Sequence, residues 1–305
     1  MKKIFSAAEG CDYFSKERNQ TANAVMSNGM GLFDNELPPD EFASRVIDIV
    51  RSEGDAGVHR INLAIDGASP KVFEVSQNDI NNSIDLLDPN DVEALNLASD
   101  RVRKFQKNGL IKSWTDSAGN FGERVTPLKR IAAYVPGGTA PLASTVIMTV
   151  VPAQVAGVEE IIVVTPPSGN SLPHPAVLAA AKISGASRVF TIGGAQAIAA
   201  LAYGTESVPA VDLICGPGST WVTAAKKLVY GDVGIDGLYG PTETLVIADE
   251  STDPTITASD LIAQAEHDVI AMPILVAISE EIVDKTEEEI QRQISVLPRG
   301  NIARA

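Results

Sequence analysis

The sequence is short of cysteine, of positive charge and of long apolar runs, and each shortage excludes a class of protein. Cys11 and Cys215 are the only thiols in 305 residues. Two cysteines so far apart make no disulfide framework, which points to a reducing compartment. Cys215 closes the apolar run Val211 to Cys215 and reads as core packing rather than as a nucleophile. Against 24 Lys and Arg stand 39 Asp and Glu, a formal net charge of −15. Such a surface repels phosphate backbones and argues against a nucleic-acid partner. The most apolar stretch, Val146 to Val158, is interrupted by Thr149, Pro152 and Gln154 and is too short to span a bilayer. The opening MKKIFSAAEG brings two lysines, but Glu9 and Asp12 arrive before any apolar signal core forms. The expectation is a cytoplasmic protein without membrane contact.

What is present is an ordinary globular balance, 45% hydrophobic and 21% charged, in a chain long enough for about two domains. Residues 1–129 read as helices and polar connections. Glu41 to Ser52 and Val92 to Gln106 carry apolar residues at three- and four-residue spacing, punctuated by Pro38-Pro39 and Asp88-Pro89-Asn90. Over residues 130–236 short apolar runs alternate with Ala-rich helix patterns. Ile131 to Val135, Ile161 to Thr165, Arg188 to Ile192 and Val211 to Cys215 are the runs; Pro175 to Ile183 and Gln196 to Tyr203 are among the helices. That alternation predicts βαβ units and a parallel sheet covered on both faces. Residues 237–305 start a second set: strand Thr244 to Ala248, a helix running to His267, strand Ile274 to Ile278 and an acidic helix from Glu280 to Leu297. The predicted fold is α/β, with two Rossmann-like parallel-sheet domains, a helical N-terminal region and an incomplete second sheet.

Three loops follow predicted strands and precede predicted helices: Pro136-Gly-Gly138, Gly193-Gly194 and Gly216-Pro-Gly218. Glycine there lets backbone N–H groups approach a phosphate near a helix start. None is GxGxxG, so the usual dinucleotide fingerprint is absent, and each loop alone is equally a plain strand-to-helix turn. The segment Gly240 to Asp268 is the most informative. On a helix, Gln264 and His267 are neighbours on one face, and an imidazole nitrogen beside an amide oxygen is an unusual but sound zinc-ligand pair. Equally, His267 is a plain C-terminal helix histidine favoured by the macrodipole. His59 and His174 follow other elements.

These words, in this order, resemble histidinol dehydrogenases: Val46 to Gly67, Leu128 to Gly138, Gly193-Gly-Ala-Gln-Ala-Ile-Ala-Ala-Leu-Ala202, Gly204-Thr-Glu-Ser-Val-Pro209, Gly216-Pro-Gly218, and Gly240 onward through Gln264-Ala-Glu-His267. The likeness covers roughly everything after residue 40. It implies a zinc- and NAD-dependent enzyme that oxidises the amino alcohol L-histidinol through the aldehyde to L-histidine in two hydride transfers, ending histidine biosynthesis. It further implies that Tyr134 and Gln196 contact NAD, with Ser219 standing where the family has Asn. Thr242 replaces the substrate-contacting Ser, and Gln264 and His267 serve as two of four zinc ligands that also touch substrate. The other two ligands, an Asp and a His from the dimer partner, and the acid–base Glu-His pair match nothing here, so the catalytic residues stay unassigned. The chain reads as a C-terminally truncated member of a homodimeric family. Ser219, Thr242 and Tyr239 leave two alternatives open: a paralogue oxidising another small alcohol, such as a hydroxylated sulfonate, or a non-catalytic NAD-binding fragment.

Overall fold

A computed structural model describes residues 3–4, 6, 8–13, 31–67, 69–137, 141–168, 172–239, 243–267, 271–297 and 300–304. The chain divides into two compact units, residues 26–239 and residues 1–25 with 240–305.

In the larger unit, helices α1 (Pro39–Glu53), α2 (Asp55–Asp66), α3 (Gln77–Asn82) and α4 (Pro89–Lys107) come first. Proline in the first turn, where its missing N–H costs nothing, and acidic residues there explain where α1 and α4 begin. In α4 the Asp88 carboxylate accepts the Asn90 N–H as a cap. A short antiparallel hairpin, β1 (Trp114–Thr115) and β2 (Gly122–Glu123), follows. The sheet is then built by β3 (Arg130–Tyr134), α5 (Ala143–Val155), β4 (Glu160–Thr165), α6 (Pro175–Ser184), β5 (Arg188–Thr191), α7 (Gly194–Tyr203), β6 (Leu213–Cys215), α8 (Thr220–Val229) and β7 (Gly234–Ile235). All five strands are parallel, in the spatial order β5-β4-β3-β6-β7.

Alternation along each strand sorts the core into two layers. Ala132, Tyr134, Ile162, Val164, Phe190 and Ile214 point to one face, against α1, α2, α7 and α8. Ile131, Ala133, Ile161, Val163, Val189 and Cys215 point to the other, against α5 and α6. This is a three-layer α/β/α arrangement, and the parallel, doubly covered sheet expected from the sequence is what forms. The strand order reverses between β3 and β6, where the chain, having moved outward through β4 and β5, returns to the opposite side of β3. In open sheets of this kind ligands settle at that reversal, outside the carboxyl ends of the strands.

The smaller unit contains the parallel pair β8 (Glu243–Ala248) and β9 (Met272–Ala277) with α9 (Pro254–Ala265), α10 (Glu280–Ile294) and α11 (Gly300–Arg304). Among the described residues no helix is long and apolar enough to cross a membrane. The Val146 to Val158 stretch is largely α5, with Pro152 inside it.

Candidate functional site

Tyr134 ends β3, on the larger unit's central strand, and three glycine-bearing loops gather around it. Its hydroxyl accepts the Gly194 N–H at 3.1 Å, tying the start of α7 to the end of β3. Burial pushes the phenol up to about 12, with the Asp66 charge adding to the rise and the Gly194 N–H opposing it. Tyr134 is therefore a neutral phenol at any physiological pH. On its other side Gly216, at φ +110°, lies so close that a Cβ there would collide with the Tyr134 carbonyl oxygen. Gly137 and Gly193 both press on Pro166 in the same way. Glycine is required at these turns first because the loops pack directly on each other and on strand ends.

The backbone N–H groups that were candidates for phosphate are already engaged at two of the three loops. Gly194 donates to Tyr134, and Gly216 donates to the Asp236 carboxylate at 2.7 Å. Asp236 also takes Lys226 Nζ at 2.5 Å, and the same ammonium donates to the Gly216 carbonyl at 2.9 Å. Lys226 is 1% exposed. A buried ammonium and its carboxylate thus hold both sides of the Gly216 peptide. Beside them the Cys215 thiol donates to the Ala132 carbonyl, and burial, reinforced by Asp236, pushes it up to about 12. That thiol is packing, as its sequence context suggested, and not a nucleophile. Gly138 of the first loop lies outside the described residues.

Gln196, the third residue of α7, is 1% exposed. Its Nε2 donates to Asn62 Oδ1 at 3.0 Å, across from α2, while its Oε1 has no partner among the described residues. Ser219 precedes α8, is exposed, and makes no side-chain cap. Tyr134 and Gln196 are thus brought together at the start of α7, and Ser219 sits at the head of α8 after the Gly216 loop. A cleft of about 440 Å³ opens at the carboxyl end of β5, lined by Ser69, Lys71, Glu74, Leu172 and Thr191 among others.

In the smaller unit, α9 stops earlier than the helix expected to run to His267. Its last residue is Ala265, and His267 lies in the following turn, where its N–H reaches the Gln264 carbonyl at 3.2 Å. The reason is the tightening of a final helical turn to three-residue bonding. His267 is exposed, and the Gln264 amide oxygen accepts the Thr244 hydroxyl of β8 at 2.8 Å. Among the described residues no three His, Cys, Asp or Glu side chains cluster as a metal site. Thr242 lies outside the described residues. His59 and His174 have structural partners. The former stacks on Phe73 and bonds Ser69 at 2.7 Å; the latter accepts the Ala176 N–H to cap α6.

One role was invisible in the sequence. Glu206, inside the Gly204-to-Pro209 word, accepts the Asp55 N–H at 2.7 Å and so caps α2, while Ser207 N–H returns to Asp55. The signal was only a carboxylate in a loop, 151 residues from its partner.

The fold and this cluster define a doubly wound α/β protein whose best-formed polar group sits at the point of strand reversal. The sequence profile of histidinol dehydrogenase matches residues 39–305. Histidinol dehydrogenases from Deinococcus radiodurans and Thermus thermophilus are each 46% identical to it, over 92% and 87% of this chain. The crystal structure of histidinol dehydrogenase from Elizabethkingia anophelis aligns with a TM-score of 0.82 at 32% identity, over 95% of this chain. The chain belongs to the histidinol dehydrogenase family. It spans 64% and 63% of the length of the first two relatives and 66% of that structure.

Proposed function

We propose that this chain carries the NAD-binding region and part of the metal and substrate region of a zinc-dependent dehydrogenase. That enzyme would oxidise L-histidinol through the aldehyde to L-histidine with two NAD, the last step of histidine biosynthesis, in the cytoplasm and as a homodimer. The observation that carries the cofactor half is the strand reversal between β3 and β6, with the neutral Tyr134 hydroxyl beside it and a Gln196 oxygen that has no partner among the described residues. NAD, when bound, supplies the hydride acceptor. The residues here bind and orient: Tyr134 and Gln196 at the α7 end, Ser219 at the head of α8. With the Gly194 and Gly216 N–H groups already engaged, these side chains do more of the recognition than a phosphate cradle would.

The zinc half fits less fully. Gln264 and His267 offer one amide oxygen and one imidazole, whereas a catalytic zinc takes three protein ligands as a rule. The amide oxygen is held by Thr244. These two residues alone do not make the site.

Calorimetric titration of the 305-residue chain with NAD tests the cofactor half. Weak, saturable heat is expected, and a flat trace up to millimolar NAD removes the proposal. The same chain should not turn over histidinol, because a missing general base alone costs about 10²–10⁴-fold in rate. A second reading, oxidation of a different small alcohol, draws on Tyr239. Its ring is half-exposed and lies near the Lys226 ammonium, and its hydroxyl donates to the Asp236 carbonyl at 3.3 Å, one residue before Gly240-Pro-Thr242 in the sequence. A homologue of full family length bearing Ser219, Tyr239 and Thr242 decides it through kcat/KM across alcohols, and a clear preference for histidinol removes this reading.

A further inference from the structure

A buried amide is an ambiguous group, because it presents an acceptor on one side and donors on the other, and only its neighbours decide which way each points. In this structure Gln196 takes the donor role toward its neighbour. Its Nε2 donates to Asn62 Oδ1, and Asn62 is itself fully buried. Asn62 in turn offers its Nδ2 to Ser69 Oγ at 3.5 Å, and Ser69 bonds His59 Nδ1 at 2.7 Å. With its donor side turned to Ser69, Asn62 shows Gln196 only an acceptor. Gln196 answers with its NH₂, so Oε1 is not used toward Asn62. That oxygen lies directly against the Gly194 Cα, where a Cβ would strike it, and it has no partner among the described residues. Gly194 is only partly buried and has no side chain to block approach. Beside it the Tyr134 hydroxyl, having accepted the Gly194 N–H, keeps its own hydrogen to give.

We infer that Asn62 is a positioning residue. It fixes the Gln196 amide so that the start of α7 presents one acceptor, Gln196 Oε1, beside one donor, the Tyr134 hydroxyl. That pairing recognises a hydroxyl- or amide-bearing group of the cofactor, a ribose or a carboxamide, and not its pyrophosphate. The inference rests on the NAD reading above and adds a polarity to it. A phosphate offers acceptors alone, and a buried carbonyl oxygen facing it would be left unpaired at a cost.

The test is a cycle of variants read by NAD calorimetry, with Asn62→Leu, Gln196→Leu and the double variant. Each single variant should weaken NAD by roughly tenfold, the size of one oriented hydrogen bond, and the double variant should be no weaker than either. Asn62→Asp keeps an acceptor toward Gln196 Nε2 and should stay within about threefold of the parent, a rescue that loss of packing could not mimic. Independently of any ligand, the Gln196 side-chain amide protons should show slow exchange in nitrogen-edited NMR of the parent and lose it in Asn62→Leu. Unchanged NAD affinity in Asn62→Leu overturns the inference while leaving the cofactor reading intact. Additive losses in the double variant overturn it too. A parent chain that takes up no NAD overturns the cofactor reading itself.

Discussion

The two parallel sheets are built from similar sequence and clothed differently. After its first residue, every position of β3, β4 and β5 is buried, with helices on both faces. In β8, apolar side chains point alternately in and out: Leu245 is 55% and Ile247 73% exposed, while Ala248 is buried. Val276 on β9 is 48% exposed. Both β8 and β9 read as near-continuous apolar runs, the composition of strands covered on both sides. Composition therefore announces how a strand could be buried, and packing alone decides how much of that burial is realised. Exposed pairs such as Arg45–Glu41 occur in the larger unit too, but some of its ion pairs contrast with two of the smaller unit in the same way. In the larger unit Arg130 and Arg188 bridge to Glu160 and Glu74 between neighbouring strands and loops, partly shielded from water. In the smaller unit Lys285–Glu281 and Arg292–Glu289 join residues one turn apart on α10.

The largest effect that would break this comparison lies in the core. Phe190 is fully buried on β5 with Arg188 over its ring at 4.7 Å. Phe190→Ala should cost about 3–5 kcal/mol, from lost transfer energy and the cavity left behind. Ile247→Ala, in the strand of matching composition, should stay within about 0.5 kcal/mol. Urea unfolding followed by circular dichroism measures both, and equal losses would mean that the exposed face of β8 is in fact covered.

The next effect concerns the peptide that the ion pair holds. Lys226 has a 2% exposed side chain, and Asp236 keeps 25% of its own in water. Lys226→Met would strand the carboxylate and release the Gly216 carbonyl. The loss should be about 2–3 kcal/mol, below the range for a fully enclosed pair because Asp236 is partly hydrated. Lys285→Met on α10 breaks a pair of similar length, 2.7 Å, and should leave the thermal midpoint unchanged, since exposed pairs are screened. A fall of the same size in both variants would contradict the division between shielded and solvated pairs.

The strands of the central sheet were legible because β3, β4 and β5 are each an apolar run bounded by turn residues, and the alternation with helices gave a parallel sheet. Their spatial order was not, because nothing local in Leu213 to Cys215 says that β6 pairs with β3 rather than with β5. Two-residue strands such as β1 and β7 are too short to carry a period. The glycine loops were found, but the occupation of their N–H groups was not. It depends on Tyr134 and Asp236, whose side chains come from 60 and 20 residues away. Gln196 could equally be read as a solvated first-turn residue; it is buried, and its amide partner, Asn62, lies 134 residues earlier. Site chemistry was thus legible as residue types and illegible as hydrogen-bond states, which are set by long-range contacts.

The smallest effect is a slope with pH, and it sharpens the electrostatic half of the comparison. The Arg188 guanidinium, at 2.6 and 2.8 Å from the two Glu74 oxygens, holds the Glu74 carboxyl below its ordinary value of 4.5, against the opposing pull of burial. Unfolded, Glu74 titrates near that ordinary value. The folded state therefore binds a proton less readily, and the pair stabilises the protein fully above about pH 4.5. The contribution fades as pH falls through the lowered folded value, so acid should erode it. Glu74→Gln removes the titration, so its stability should be lower than the parent's at neutral pH and should converge on the parent's as the solution is acidified. Glu281 on α10 is also held below its ordinary value, by Lys285, but in open solvent. Glu281→Gln should follow the parent's acid curve throughout, and more closely still in high salt. Thermal midpoints of the three proteins between pH 3 and pH 7 measure the difference. If Glu281→Gln flattened the curve as much as Glu74→Gln, shielding between strands would have no bearing on how these carboxylates stabilise the fold.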